Sequence, residues 1–277
     1  MKLPRSKTKA SVWVVENAGV RSRPDQLAVE EPLEIRLVTP QQTVAVTMRT
    51  PGADFDLTAG FLYSEGVISD RKDIYRMSYC VDPNIDGDQR YNIINVALKD
   101  GLLPNLQPLE RHFFTTSACG VCGKASIEAL QLRGCSVIPT SMQVPAQVIY
   151  SLSDRLRSAQ GIFSATGGLH AAALFDAQGQ LLSLREDVGR HNAVDKLVGS
   201  ALLADQLPLS DRIVMVSGRS SFEILQKCIT AAVPIVCAVS APSSLAVALA
   251  KQFGITLIGF LRGQRFNVYS GVERILA

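Results

Sequence analysis

Long hydrophobic runs are missing from this sequence. No stretch approaches the roughly 20 unbroken apolar residues that a membrane span requires. The opening M-K-L-P-R-S-K-T-K is basic but leads into no apolar segment, which argues against a signal peptide. A surplus of charge is missing too. With 28 Lys+Arg against 25 Asp+Glu the formal net charge is +3, too slight for the electrostatic footprint of a nucleic-acid binder. Six cysteines in 277 residues do not make a dense disulfide framework. The nucleotide signatures G-x-G-x-x-G and Walker A are absent, as are internal repeats and low-complexity tracts. These absences predict a soluble, reduced, cytoplasmic protein without nucleic-acid or membrane partners. The length suffices for two domains and a substantial core.

What is present has two textures. Residues 11–15, 33–38 and 43–49 carry β-branched side chains with partial alternation, the last two joined as a hairpin by 39–42. Residues 74–81 and 91–98 read as further strands around an acidic turn, with Cys80 a packed core thiol. Between these pairs, Asp54 is placed to cap a helix over 55–64. Its Phe55, Leu57, Phe61 and Leu62 form a buried face, and Gly66 closes it. Residues 101–116 form a long connector without a period. A helix over 124–132, a boundary within 134–145 and a helix over 146–159 follow. From residue 161 strands alternate with helices: a hairpin of 171–175 with 180–184, helix 188–203, strand 213–217, helix 221–231, strand 235–240, helix 243–253 and strand 255–260. That alternation predicts a parallel sheet covered on both faces. The expected class is α/β (α+β overall), with a smaller, mainly β domain over 1–140 and a larger α/β domain over 141–277.

The first chemical feature is S-A-C-G-V-C-G-K at residues 117–124. Ala118, Gly120 and Gly123 leave Cys119 and Cys122 few bulky neighbours, and no acidic residue falls between His112 and Ile127. An unperturbed thiol is about 3% ionised at pH 7, and a helix N-terminus or nearby Lys124 raises that fraction. A helix end supplies roughly 0.3–1 kcal/mol, less than one pKa unit at about 1.36 kcal/mol per unit. The dipole therefore needs help from Lys124 and backbone N–H groups. Half a zinc site, a dithiol redox pair, a sulfur carrier, or merely two small cysteines in a turn all fit these residues; the glycine crowding disfavours the last.

The second feature lies at successive strand ends: S-G-R-S-S at 217–221, S-A-P-S-S at 240–244 and L-R-G-Q-R at 261–265. In open α/β sheets ligands bind beyond the carboxyl ends of the strands. Two of these loops open helices with serine hydroxyls and free N–H groups, which suits phosphate oxygens, and Arg219, Arg262 and Arg265 add bidentate donors. Ordinary N-caps and solvated arginines explain any one loop; three adjacent loops point to a ligand. Two histidines stand nearby in sequence. His170, in T-G-G-L-H-A-A-A, reads as a satisfied core residue. His191 lies four positions before Asp195, so the two are expected to pair on one helix face. Glu186 and Asp187 are placed to complement a helix N-terminus.

The blocks A-C-G-V-C-G, T-G-G-L-H-A-A-A-L, E-D-V-G-R-H-N-A-V-D-K, S-G-R-S-S-F-E-I-L-Q-K, A-V-S-A-P-S-S-L-A-V and T-L-I-G-F-L-R, with S-E-G-V-I-S earlier, resemble the formate dehydrogenase accessory sulfurtransferases (FdhD) from about Pro51 to Tyr269. The resemblance implies a homodimeric sulfur carrier whose large domain is a cytidine-deaminase-like three-layer fold. It implies transfer of persulfide sulfur from a cysteine desulfurase to a molybdenum or tungsten bis-pterin guanine dinucleotide cofactor before its insertion into formate dehydrogenase. That cofactor is bound transiently, with GDP as its mimic, and no cofactor is held permanently. By the same resemblance Cys119 bears the persulfide and Cys122 is the second motif cysteine. Phe260, Leu261, Arg262, Gly263, Gln264 and Arg265 match the cofactor-binding segment. Ser217, Arg219 and Ser240 join them as candidates from the strand-end loops.

Four rivals compete with this reading. A zinc deaminase needs H-x-E before P-C-x-x-C, and neither H-x-E nor a proline before Cys119 occurs. A structural zinc needs four ligands, and no second C-x-x-C supplies them, so no metal is expected. A thioredoxin-like oxidoreductase would place its motif after a first βαβ strand. A cofactor chaperone that moves no sulfur would use the same loops, and labelled sulfur separates it from a carrier.

Overall fold

Short apolar runs broken by turn residues build most of the strands, and the computed structural model of the protein describes residues 5–17, 19–87, 89–102, 104, 106, 130, 131, 134–139 and 141–276. Cys119, Cys122 and Lys124 lie outside the described residues, and with them the expected cysteine loop at a helix N-terminus. Leu130 and Gln131, near the end of the predicted 124–132 helix, are helical.

Strands β1 (Lys7–Glu16) and β2 (Gly19–Ala28) pair as an antiparallel ribbon, Lys7 opposite Ala28 and Glu16 opposite Gly19. Pro24 and a run of polar residues hide β2 from a propensity reading. Next come β3 (Glu31–Leu37), β4 (Gln42–Arg49), helix α1 (Asp54–Glu65), β5 (Ile74–Tyr79) and β6 (Ile93–Leu98). The strands form a sheet in the order β4-β3-β6-β5. Leu33, Ile35 and Leu37 alternate inward beside Val44, Ile94 and Val96, and Leu57 and Leu62 of α1 seal that face. Each such side chain contributes roughly 1.5–3 kcal/mol by leaving water. Phe55 and Phe61 are only partly buried. Gly66 closes α1 as expected, at φ 76°, with its N–H on the Leu62 and Tyr63 carbonyls. Asp54 does not cap. Ala53 is the N-cap, and the Asp54 carboxylate accepts from the buried Arg49 guanidinium at 3.2 and 3.1 Å. A buried guanidinium without a carboxylate costs more than a missing cap.

The second half runs β7 (Val144–Pro145), α2 (Ala146–Ala159), α3 (Gly161–Thr166), β8 (His170–Phe175), β9 (Leu181–Asp187), α4 (Arg190–Leu203), β10 (Ile213–Val216), α5 (Phe222–Thr230), β11 (Ile235–Ala238), α6 (Ser244–Gln252), β12 (Thr256–Arg262), β13 (Arg265–Ser270) and β14 (Ile275–Leu276). Six of the strands make one sheet in the order β13-β12-β11-β10-β8-β9. Successive residues of its strands face opposite ways. Val214, Val216, Val236 and Leu257 meet α4, α5 and α6 through Leu197, Ile224 and Leu249. Ile213, Met215, Ile235 and Ile258 meet α2 through Ile149, Leu152 and Leu156. The result is a three-layer α/β arrangement. The sheet is mixed rather than parallel. Neighbours β10, β11 and β12 pair in parallel; β8 is antiparallel to β10 and to β9, and β13 is antiparallel to β12. A strand buried on both faces reads alike in either direction, so its residues do not disclose the reversal.

Helix α1 joins the halves by packing on α4. A Cβ on Gly60 would collide with the Asp195 carbonyl, and one on Gly199 with the Asp56 carbonyl, so the two helices touch backbone to backbone. Lys227 of α5 meets Asp195 of α4 at 2.8 Å, and Ser64 of α1 donates to the same carboxylate at 3.0 Å. No helix among the described residues is long and apolar enough to cross a membrane.

Candidate functional site

The carboxyl ends of β10, β11 and β12 open together onto a cleft of about 650 Å³. Ser217, Val239, Leu261, Arg262 and Gly263 form its strand-end wall. Ser153, Asp154, Arg157, Gln160 and Phe163 from α2, α3 and their junction form the opposite wall, and residues 167–170 close one side. The reversed direction of β8 explains that third contribution. Antiparallel pairing sets Ala172 opposite Val216, so β8 begins where β10 ends, and His170 arrives at the strand-end cleft.

Of the residues singled out in sequence, Ser217, Leu261, Arg262 and Gly263 line the cleft, while Phe260, Gln264, Arg265, Arg219 and Ser240 fall outside its lining. Ser217 is anchored: its Oγ accepts from the Ala171 N–H at 2.9 Å and its own N–H donates to the Ala171 carbonyl. Leu261 is fully buried and shapes the wall from the core side. Arg262 and Arg265 face each other across β12 and β13, joined by Gly263 and Gln264, with Gly263 at φ 53°. The expected loop at 261–265 is thus the tip of a hairpin. Two like charges directly opposed across strands repel, and an anion between them would offset that. The register of β12 also shifts before Arg262, where Phe260 adopts φ 53° and stays 42% exposed, its N–H on the Ser240 carbonyl at 3.2 Å. A left-handed non-glycine residue beside a cleft is strain held by its surroundings, a common mark of a binding site.

The serines divide. Ser243 is an ordinary N-cap, accepting from the Ala246 N–H at 3.2 Å. Ser221 occupies the N-cap position of α5 but donates its hydroxyl to Glu223 at 2.9 Å instead of capping the backbone. His191 completes that corner, with Nε2 3.2 Å from Ser221 Oγ and 3.1 Å from Glu223. The His191 hydrogen bond, opposed by burial, holds the Glu223 carboxyl down at about 2. His191 therefore does not pair with Asp195, which is buried against Lys227 and Ser64. Helical spacing of four permits a pair, but the buried lysine claims the carboxylate. Glu186 and Asp187 do serve helix N-termini, though two different ones. Glu186 accepts from the Ile162 and Phe163 N–H groups at 3.0 and 2.7 Å at the start of α3. Asp187 accepts from Gly189 ahead of α4 at 2.8 Å and pairs with Lys196 at 2.7 Å.

His170 departs from its reading as a satisfied core histidine. It lines the cleft half-buried, and no hydrogen bond to its ring is found among the described residues. Burial, then the neighbouring Arg190 and His191, push its pKa below the ordinary imidazole value, which favours the neutral ring. Sequence reading placed α2 but missed the residues it sends to the cleft. Asp154, Arg157 and Gln160 recur every third residue on one helix face, a signal that looks the same as a solvated polar stripe. The Arg157 guanidinium carbon sits over the Phe163 ring, 4.5 Å from its centroid. Gln160 is only 2% exposed, and its Nε2 has no hydrogen-bond partner among the described residues.

Comparison with known proteins places these features in a context. The profile of the FdhD/NarQ family matches residues 28–276. A protein named sulfur carrier protein FdhD from Streptomyces avermitilis is 51% identical over 264 residues, covering 94% of this chain and 93% of that one. The protein of the same name from Mycobacterium tuberculosis is 51% identical over 261 residues, 92% and 94% of the two chains. That from the archaeon Sulfurisphaera tokodaii is 45% identical over 269 residues, 97% and 98%. Among solved structures, a candidate formate dehydrogenase accessory protein from Desulfotalea psychrophila superposes with a TM-score of 0.75 at 26% identity, over 98% of this chain and 99% of that one.

Proposed function

Since the chain belongs to the FdhD/NarQ family, we propose that it is a sulfur carrier serving formate dehydrogenase. Cys119 accepts sulfur from a cysteine desulfurase and passes it to the molybdenum or tungsten bis-pterin guanine dinucleotide cofactor, which is cargo rather than a resident group. In the loading step the Cys119 thiolate attacks the outer sulfur of the donor persulfide. The donor S–S bond breaks, the Cys119 persulfide forms, and the donor cysteine leaves as a thiolate, with no net oxidation. Cys122 assists by tuning or releasing the carrier sulfur. The protein acts as a cytoplasmic homodimer.

The observation that carries this reading is near-complete mutual coverage, at about half identity, with proteins named sulfur carriers. The cleft supports the cargo half. It stands where α/β sheets bind ligands, it is large enough for a nucleotide, and Arg262 in its lining, with Arg265 its cross-strand neighbour, suits a pyrophosphate. Labelled-sulfur loading from a desulfurase tests the carrier assignment. Label should enter the wild-type protein and not Cys119→Ala. A protein that binds GDP yet never acquires label would be a chaperone that moves no sulfur.

A further inference from the structure

We infer that the α2 wall of the cleft reads the fused 2-aminopyrimidinone ring of the cargo, with Gln160 donating to the ring carbonyl and Asp154 accepting from the ring N–H and amino group. The inference rests on the sulfur-carrier reading above, and it assigns specificity to residues that the strand-end loops do not include.

Three observations combine. Gln160 lines the cleft, is 2% exposed, and carries an Nε2 donor without a partner among the described residues. A buried donor left unpaired is expensive, so such a group in a cleft wall marks a place where a ligand acceptor belongs. Asp154 lines the same cleft two helical intervals away and presents an acceptor-only carboxylate. Between them the Arg157 guanidinium sits over the Phe163 ring, and together they offer a cationic and aromatic group against which a heterocycle can stack. A ring that stacks there and offers a carbonyl beside an N–H and an exocyclic amine meets both groups at once. Adenine presents an amine where the carbonyl should be, so it would leave the Gln160 donor facing another donor. Guanine and pterin share the required edge, and the cargo contains both.

Calorimetry on the full-length protein with GDP, inosine diphosphate, ADP and 6-hydroxymethylpterin tests this. GDP should bind at least about tenfold more tightly than ADP, the scale of one to two hydrogen bonds. Inosine diphosphate, lacking the amino group, should fall between. Gln160→Leu and Asp154→Ala should each weaken GDP by about tenfold and leave ADP unchanged. Asp154 is exposed, so its variant carries the test if Gln160→Leu fails to fold. Pterin binding that both variants weaken while GDP stays insensitive would assign the subsite to the pterin; the converse would assign it to guanine. Equal affinity for GDP and ADP, with no ligand weakened by either variant, overturns the inference and leaves the carrier reading standing. No binding of any nucleotide or pterin to the wild-type protein would overturn the cargo cleft itself.

Discussion

Two polar regions of this protein lie within one fold and obey opposite rules. Around α4, the buried Asp187–Lys196 pair is fully matched. Lys196 meets Asp187 at 2.7 Å and the Thr50 carbonyl at 2.8 Å, Asn192 bridges Asp187 and the Met48 carbonyl, and Thr50 donates its N–H to Asp187. At the cleft, matching stops: among the described residues Gln160 keeps an unpaired buried donor, Arg262 in the lining is registered opposite Arg265, and Phe260, just before it in β12, holds a left-handed backbone. Completed networks fix architecture, because a half-made one in low dielectric is costly. Incomplete ones are retained where a ligand finishes them. The contrast makes the first region a determinant of stability and the second a determinant of binding, and mutations should sort the same way.

The largest effect is expected from breaking the completed network. Asp187→Ala leaves the buried Lys196 ammonium uncompensated and should cost about 3–5 kcal/mol of stability, read as a lowered midpoint in urea unfolding. Gly199→Ala follows. Its new methyl has nowhere to go between α4 and the Asp56 carbonyl, and separating α1 from α4 should cost at least about 1–3 kcal/mol. At the cleft the pattern should invert. Arg265→Ala should change stability by no more than about 0.5 kcal/mol while weakening GDP about ten- to a hundredfold, a charge-assisted contact at about 1.4 kcal/mol per decade. Calorimetry beside a thermal melt checks both halves. An Arg265 variant that melts early with unchanged GDP affinity would erase the contrast.

The smallest effect concerns the half-exposed corner between the two regions. Glu223 is held at about 2, below its ordinary 4.5, so its contribution to stability is complete above about pH 4.5 and is lost as the pH falls toward 2. Its side chain is 51% exposed, and solvent screening should keep that contribution under about 1 kcal/mol. Glu223→Gln should flatten the acid limb of unfolding free energy between pH 4.5 and 2. An unchanged limb would mean that the His191 contact is not maintained in solution.

Legibility from sequence followed the same division. Helix α2 runs over the expected 146–159, the 188–203 helix starts two residues late, and Gly66 ends α1, because apolar period and glycine caps are local signals. The strand-end position of the cleft was legible from the α/β alternation. The direction of β8 was not, and with it went the placement of His170, since direction is fixed by tertiary pairing rather than by the strand's own residues. His191 and Asp195 show the limit of spacing arguments: four residues on a helix bring two side chains to one face, but Lys227 and Glu223 from α5 take one each. Asp154, Arg157 and Gln160 were invisible for a related reason, because a cleft-facing stripe and a solvent-facing stripe have the same composition.

The central claim is that sulfur rides on Cys119, and intact mass spectrometry after incubation with a desulfurase and cysteine tests it most directly. Cys228 and Cys237 are buried and their thiols are pushed up out of reach of pH 7, Cys228 to about 12, and Cys80 is buried as well. They should take no part, since the thiolate is the nucleophile. The account predicts adducts of about 32 Da, one per added sulfur, on the wild-type and Cys122→Ala proteins. It predicts none on Cys119→Ala, together with loss of formate dehydrogenase activity in a host lacking the wild-type gene. A Cys119→Ala protein that still gains the adduct and restores that activity would contradict it.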